Sequence, residues 1–450
     1  MDKNLKNKKV LLMGLGVLGG GVATARWLLE QGAALTITDI KNADALNISL
    51  EKLKSYGGKI KYVLGRHEEK DFLENEIIVL NPDIPVHNSF VEVACKASKQ
   101  IKNELTLFYK FSESQNIIAI TGTRGKTTTA NWTYHFLKSQ NSNCILLGND
   151  PEKPFLNEIK KVKEGTIIVM EVPSYQLELV DHNNFRPHVA LITNIYRDHI
   201  NRHKTMEEYA GAKANIFIGQ QKNDILILNR ENEWTEFFLN KKPKSQVSFT
   251  SENSIFTNEE KEDFKSKWGE HNLQNLLASS LAALSVGVTP LNIKNSISTL
   301  PQIKFREEKV YDNGKIEIYN DTSATSPDAT VAALERFTNT GERVILITGG
   351  TDRELDFSAW AVSIKKLLRP DQIIFLSGSA TEKMKKALGW QNYKEFDSLE
   401  ECVNESLKKS DEMGGKSLIL FSPSSKSFEK FKNEFDRGEQ FNLIIKKLLK

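Results

Sequence analysis

The chain has little cysteine, no strong excess of charge of either sign and no long apolar run. Its three cysteines, Cys95, Cys144 and Cys402, are far apart in 450 residues and show no metal-ligand spacing. An odd, sparse count argues against a disulfide framework and for reduced thiols, as in a cytosolic protein. Lysine and arginine number 61 against 58 aspartate and glutamate, a formal net charge of +3. That balance gives no bulk attraction to nucleic acid or to a membrane surface. No apolar run approaches the ~18 residues that a membrane span needs. Internal repeats and low-complexity tracts are also missing.

The N-terminus imitates a signal peptide. Lys6, Lys8 and Lys9 precede an apolar stretch over 10–18, with Ala23-Thr24-Ala25 beyond it. Two features oppose that reading. Five glycines between positions 14 and 21 make a poor apolar helix. The helical pattern also continues through Arg26-Trp27-Leu28-Leu29-Glu30, past the supposed cleavage point.

What is present is an ordinary globular composition, 39% hydrophobic and 26% charged. At roughly 100–200 residues per domain, the length allows two to four domains. The most informative stretch is Ile117-Ile118-Ala119-Ile120-Thr121-Gly122-Thr123-Arg124-Gly125-Lys126-Thr127-Thr128-Thr129. An apolar strand stops at a glycine turn, and a helical segment over 130–137 follows. Backbone N–H groups of such a loop, with the helix N-terminus, cradle polyphosphate. Lys126 is placed to reach the outer phosphates, and the Thr127 hydroxyl to ligate Mg²⁺. Ile120 stands where the general phosphate-loop pattern has its first glycine, so the motif is the shorter T-G-T-x-G-K-T.

Three α/β units are expected, with boundaries near 111 and 302. In the first, a strand over 8–13 runs into Gly14-Leu15-Gly16-Val17-Leu18-Gly19, then a helix over 20–31 and a strand over 33–39. This is a Rossmann-like βαβ opening with G-x-G-x-x-G in place. Asp39 ends the second strand, where a ribose or base contact is expected. A tight turn with close helix packing is the plainer explanation. A further strand covers 77–80, with the Asn81-Pro82-Asp83-Ile84-Pro85 loop at its end.

In the second unit, strands are expected over 166–171, 189–193 and 224–228, and helices over 206–218 and 270–285. The third unit opens with a hairpin over 309–311 and 316–320, around the type I′ signal Asp312-Asn313-Gly314. Strands over 344–347, 372–376 and 417–421 follow.

Chemistry-bearing residues collect at strand ends. Glu171 closes an apolar strand and can hold Mg²⁺ directly or through water; a charged strand end is the plain alternative. Arg197-Asp198-His199 follows another strand and Asn194. Lys213 lies among small residues, in Ala210-Gly211-Ala212-Lys213-Ala214. Partial burial there lowers an amine's pKa, whereas a surface lysine on an amphipathic helix needs no such account. In the third unit, polar loops at Asn320-Asp321-Thr322-Ser323, Gly349-Gly350-Thr351-Asp352-Arg353 and Ser422-Pro423-Ser424-Ser425-Lys426-Ser427 each follow a strand. Three such loops at one edge of a sheet make a binding face.

Together these residues resemble the Mur ligases, ATP-dependent amide-forming enzymes of peptidoglycan precursor synthesis. The match involves residues 121–129, Glu171 with 174–178, Asp198-His199, Ala212-Lys213, His271-Asn272, Arg306, Asn320-Asp321 and 422–438. Residues 14–19 and 422–438 look most like the branch that adds D-glutamate.

The resemblance implies three domains: a Rossmann-like N-terminal domain over 1–111 for the UDP-linked muramoyl substrate, a P-loop ATPase-like central domain over 112–302 for ATP and Mg²⁺, and a Rossmann-like C-terminal domain over 303–450 for the incoming amino acid. It implies nucleotide contacts from Gly122, Thr123, Arg124, Gly125, Lys126, Thr127, Thr128, Asn272 (adenine), Arg306 (phosphates) and Asp321 (ribose). Metal ligation falls to Thr127, Glu171, His199 and Lys213, the last as a carbamate. Lys126, His199 and Lys213 carry catalysis. Substrate contacts fall to Leu15, Gly16, Val17, Asp39, Asn149, Ser323, Arg353 and Ser427. A cytoplasmic monomer without nucleic-acid or membrane partners is expected.

Four positions depart from the branch pattern: Arg124 for Asn, Phe305 for His, Ser323 for Lys and Arg353 for Lys. Ser323 removes a cation from the expected carboxylate-binding region, where Arg353 and Lys426 are the cations available to compensate. Other readings are a related Mur-type ligase adding a different amino acid, a folylpolyglutamate synthase, which the added 14–39 unit opposes, an NAD-dependent oxidoreductase built on Gly14–Gly19 and Asp39, and a non-catalytic nucleotide-binding protein.

Overall fold

A computed structural model of the protein describes residues 3–148, 153–338 and 343–449. Three sheets organise them. The first contains β1 (Lys9–Met13), β2 (Ala34–Asp39), β3 (Ile60–Leu64), β4 (Ile77–Leu80) and β5 (Gln100–Lys102), ordered β3-β2-β1-β4-β5 and parallel throughout. The second contains β6 (Ile117–Thr121), β7 (Cys144–Leu147), β8 (Ile167–Glu171), β9 (Val189–Ile192), β10 (Ile225–Leu228) and β11 (Gln246–Phe249), ordered β11-β10-β9-β6-β8-β7 and again parallel. The third contains β12 (Glu308–Asp312), β13 (Ile316–Asn320), β14 (Arg343–Thr348), β15 (Ile373–Leu376), β16 (Lys394–Phe396) and β17 (Ser417–Phe421), ordered β12-β13-β17-β14-β15-β16. Only β12 runs antiparallel to its neighbour.

The expected strands are the ones buried on both faces, such as β1, β4, β6, β8 and β9, which read as unbroken apolar runs. The strands without a sequence signal, β3, β5, β7, β11 and β16, all lie at sheet edges. Except for β7, which is the apolar run Cys144–Leu147, their half-exposed faces carry polar residues, as in Lys61 and Tyr62 of β3. The hairpin between β12 and β13 forms, but not with a type I′ turn. That form needs positive φ at both central residues, and only Gly314 has it, at 80°.

Chain contacts divide the fold into two compact units. One comprises Met1–Ile255 and Gln274–Thr299 and holds the first two sheets; the other comprises Phe256–Leu273 and Leu300–Lys450 and holds the third. Residues 256–273 thus associate with the third sheet, although they precede the boundary expected near 302. The signal-like N-terminus is the first βα unit: β1 is buried, and the helix Gly20–Glu30 runs through Ala23-Thr24-Ala25. Among the described residues, no helix is long and apolar enough to cross a membrane.

Candidate active site

Strand order decides which loops meet. In each sheet one strand lies between two whose C-terminal ends carry polar loops. In the first sheet, β1 lies between β2 and β4. The glycine turn after β1 therefore emerges beside Asp39 and the Asn81–Pro85 loop. Asp39 is 5% exposed, and its carboxylate accepts N–H bonds from Leu15 at 2.9 Å, Gly16 at 3.0 Å and Lys41 at 2.9 Å. Ser49 donates to the Gly16 carbonyl at 2.7 Å. Val17 stands exposed beside them. The turn is thus closed by a carboxylate of the same chain. The N–H groups of Leu15 and Gly16, which a dinucleotide reading offers to a pyrophosphate, are occupied.

In the second sheet, β6 lies between β8 and β9, so the phosphate loop, Glu171 and Asn194 emerge side by side. Gly122 has φ 144°, and a Cβ there falls 1.9 Å from Thr193 Oγ1. At Gly125, φ is 81° and a Cβ falls 2.2 Å from Asn275 Oδ1. Both glycines are therefore needed for space as well as for dihedral angle. Asn194 holds the loop from one side: its carbonyl accepts the Thr123 N–H at 2.8 Å, and its Oδ1 accepts the Arg124 N–H at 2.9 Å. Lys126 folds back to donate to the carbonyls of Gly122 and Thr123, each at 3.0 Å. Thr127 donates its hydroxyl to Glu171 Oε2 at 2.8 Å. Thr128 is buried in the first turn of the helix Lys126–Ser139.

Lys213 lies under this loop. It is 1% exposed and donates to the Gly122 carbonyl at 2.9 Å, with its ammonium 4.7 Å from the centre of the Tyr209 ring. Burial, and then the like charge of Lys126, hold its pKa well below the usual lysine range. The plainer expectation of a surface lysine on an amphipathic helix does not hold, and the burial is deeper than the partial burial of the alternative. Tyr209, fully buried, meets the Thr123 hydroxyl at 3.2 Å and faces the rings of His199 and His203 at 6.0 and 5.2 Å. Burial pushes its phenol pKa up.

His199 caps the short helix Ile200–His203 in the left-handed region, φ 54°, and is half-exposed. Asp198 lies 3.8 Å from His199 Nε2 and takes an ion pair from Arg124 at 3.3 Å. Of the four expected metal ligands, the structure pairs Thr127 with Glu171 directly, and the carboxylates of Glu171 and Asp198 act on the Lys213 amine. Among the described residues, no three His, Cys, Asp or Glu side chains gather as a metal cluster. The donors are instead hydroxyl and carboxylate oxygens beside a buried amine, a set that suits a hard cation.

In the third sheet, β17 lies between β13 and β14, so its polar loop emerges between the Asn320–Pro327 and Gly349–Arg353 loops. Arg437, fully buried, ties two of them together. It donates to Thr322 Oγ1 at 2.9 Å and to the carbonyls of Thr322, Ser425 and Lys426 at 2.9, 3.1 and 3.1 Å. Burial lowers its pKa to about 9. Thr351 and Lys426 exchange backbone hydrogen bonds at 2.9 and 3.2 Å, joining the third loop. The Ser427 hydroxyl is buried and meets no partner. Ser323 donates its N–H to the Phe305 carbonyl at 3.1 Å, and exposed Arg353 stacks on Phe428 at 4.7 Å.

Asn272, Arg306 and Asp321 also lie in this unit. Asp321 accepts the Ser422 hydroxyl at 2.8 Å and the Glu307 N–H at 3.2 Å. Burial, and then the Glu307 charge, raise its pKa to about 8. Asn149 lies outside the described residues. Sequence reasoning did not single out Tyr209, Glu307 or Arg437. Glu307 and Arg437 stand among other charged residues and read as solvated positions, and Tyr209 follows Glu207-Glu208 at the exposed start of a helix.

Models of two domains match the chain: the Mur ligase middle domain over residues 120–283, and the Mur ligase MurD-like N-terminal domain over 8–103. A UDP-N-acetylmuramoylalanine–D-glutamate ligase from Borreliella burgdorferi (strain ZS7) is 34% identical, over 99% of this chain and 99% of its own. The chain belongs to the Mur ligase family. A ligase of the same name from Roseiflexus sp. (strain RS-1) is 33% identical over 98% of this chain and 99% of its own. Among solved structures, the MurF ligase from Thermotoga maritima in complex with ADP superposes with a TM-score of 0.59 at 14% identity. That superposition covers 99% of this Mur ligase and 96% of the solved chain, and shares its fold.

Proposed function

We propose that this Mur ligase joins D-glutamate to UDP-N-acetylmuramoyl-L-alanine, using ATP, in peptidoglycan precursor synthesis. The reading is carried by a buried Lys213 under a phosphate loop whose Thr127 is bonded to Glu171, in a chain akin over its full length to D-glutamate ligases. We assign residues 1–111 to the UDP-linked substrate, 112–302 to ATP and Mg²⁺, and 303–450 to the amino acid.

In the reaction, the γ-phosphoryl passes from ATP to the substrate carboxylate, and ADP leaves. The amine of D-glutamate attacks the resulting acyl phosphate, phosphate leaves, and an amide forms with loss of a proton. Such transfers depend on positioning and on neutralising charge. Gly122, Thr123, Arg124, Gly125 and Thr128 shape the cradle. Lys126 exchanges its two carbonyl partners for phosphate oxygens. Burial favours the neutral form of the Lys213 amine, the form that takes up CO₂ as a carbamate, losing a proton and becoming an oxygen ligand in place of a cation. Thr127, Glu171, His199 and that carbamate would hold Mg²⁺, which when bound neutralises phosphoryl charge. Asn272, Arg306 and Asp321 hold the nucleotide. Leu15, Gly16, Val17, Asp39 and Asn149 hold the UDP-linked substrate, and Ser323, Arg353 and Ser427 the amino acid. The unpartnered Ser427 hydroxyl supports that last role.

The three unpaired cysteines support a reducing, cytoplasmic setting. The test is phosphate release with the UDP-linked acceptor, ATP and Mg²⁺ across an amino-acid panel. Release with D-glutamate alone is expected. Turnover with another amino acid and none with D-glutamate would overturn the assignment.

A further inference from the structure

The Lys267–Asn272 turn and the Phe305–Glu307 bend meet at one carboxylate. Glu307 Oε1 lies 2.7 Å from His271 Nε2, and Glu307 Oε2 pairs with the Arg336 guanidinium. Arg336 also donates from Nε to the Lys267 carbonyl at 3.0 Å and stacks near Trp268 and Phe337. The Glu307 N–H goes to Asp321 Oδ1 at 3.2 Å. All of these residues belong to the unit that holds the third sheet.

The backbone is bent to make these contacts. Phe305 and Glu307 have φ 66° and 46°, left-handed values that bulky side chains rarely adopt. Such conformations persist where surrounding contacts over-determine them. Here those contacts include the two ion pairs and the N–H bond of Glu307 itself. Gly269 is held in the same knot, because a Cβ there falls 3.1 Å from both Arg336 and His271.

Glu307 thus touches Asp321, adjoins Arg306 in sequence, and reaches Asn272 through His271. Asn272 follows His271, Arg306 precedes Glu307, and Asp321 takes its N–H. We propose that Glu307 is the positioning residue for the base-and-ribose end of ATP, setting Asn272, Arg306 and Asp321 as one body through His271 and Arg336. This rests on the ligase reading for the identity of the nucleotide.

The charged groups facing His271 are Glu307, Arg336 and Asp321. Burial lowers the imidazole pKa, and Glu307 outweighs that to leave it raised. Glu307 itself is held low, at about 2, by His271 and then Arg336 against the opposing effect of burial.

The test is Glu307→Gln in the full chain, which keeps shape and removes charge. Expected are a KM for ATP raised about tenfold, an unchanged KM for the UDP-linked acceptor, and unchanged inhibition by inorganic tripolyphosphate, which has no base or ribose. The His271 midpoint, followed by NMR, falls, as loss of a neighbouring carboxylate requires. An ATP KM unchanged in a folded variant whose His271 midpoint has moved overturns the proposal. So does an equal rise in all three constants, which marks general structural damage. If Glu307→Gln does not fold, His271→Gln breaks the same pair from the other side, and an unchanged ATP KM there also overturns it. If wild type binds ATP calorimetrically but forms no amide, the ligase reading fails while the same binding measurement on the variants still decides this one.

Discussion

The chain contains two glycine turns that join a buried strand to a helix, and their environments differ. At the first, over Gly14–Gly19, a carboxylate from the next strand accepts the N–H groups of Leu15 and Gly16. At the second, over Gly122–Gly125, the partners of Thr123 and Arg124 are the uncharged carbonyl and side-chain amide of Asn194. Around this second turn stand Arg124, Lys126 and Lys213. A turn already occupied by Asp39 repels a polyphosphate, whereas a turn with neutral partners and the Arg124 and Lys126 side chains attracts one. Similar local topology thus gives turns of opposite electrostatic character in the two sheets. Electrostatics, and not the glycine pattern, sets the difference. It also removes the basis of the oxidoreductase reading, and an absence of NADH fluorescence enhancement alongside clear ATP binding is the direct check.

The largest effect should come from the cation at the second turn. Lys126→Ala leaves the loop's shape to Asn194 but takes away the charge aimed at the outer phosphates. Turnover should fall on the order of 10³-fold or more, as for loss of a key electrostatic donor, in a phosphate-release assay. Removing this like charge also raises the pKa of Lys213, whose depression it partly causes. Wild-type activity in Lys126→Ala would break the comparison outright.

Next comes Lys213→Ala, with a loss on the order of 10²- to 10³-fold. Added short carboxylic acids should restore part of the activity, because a carboxylate can replace a carbamate as an oxygen ligand. No rescue would leave Lys213 as a buried amine and nothing more. In thermal melts the variant should gain stability at neutral pH. Lys213 has a lowered folded pKa, so the unfolded chain binds the extra proton below its own lysine pKa, and that cost disappears with the amine.

Asp39→Asn tests the first turn. The amide keeps one accepting oxygen and brings an N–H₂ group against backbone donors. Loss of charge-assisted bonds should destabilise the chain by about 1–3 kcal/mol, read in denaturant melts. The KM for the UDP-linked acceptor should rise while that for ATP stays constant. A rise in the ATP constant instead would mean that the two turns do not divide the ligands as proposed.

How much of this was legible in the sequence follows from burial. β6, β8 and β9 are short apolar runs, so the loops at their ends could be located and the residues there singled out. The edge strands β3, β5, β11 and β16 alternate or are very short, and nothing in the sequence separated them from loops. Lys213 stood out because its neighbours are small. Glu307 did not, because a charged residue in Arg306-Glu307-Glu308-Lys309 reads as a solvated strand end. Its ion pairs join residues far apart in sequence, and the left-handed φ that aims them has no glycine to announce it. The polar turn at 312–314 announced a hairpin correctly but not its turn form, since Asn313 tolerates a positive φ without requiring it.

The smallest effect sharpens the comparison from the helix side. Gly20 opens the helix Gly20–Glu30, has ordinary φ, and a Cβ built on it meets nothing within 4 Å. Gly20→Ala keeps the backbone N–H, so any bond made by the helix N-terminus survives. What changes is the entropy of the unfolded chain and helix propensity, together about 0.4–1 kcal/mol in favour of the folded state. The melting midpoint should rise slightly with kcat and both KM values unchanged. Gly21→Ala is the contrasting control: its Cβ would fall 2.1 Å from the Leu15 carbonyl oxygen. It should disturb the turn that Asp39 holds, raising the KM for the acceptor and not that for ATP. If Gly20→Ala raises the acceptor KM as well, the first turn needs flexibility at its helix end. Closure by Asp39 would then be one of two states of the turn and not its resting geometry.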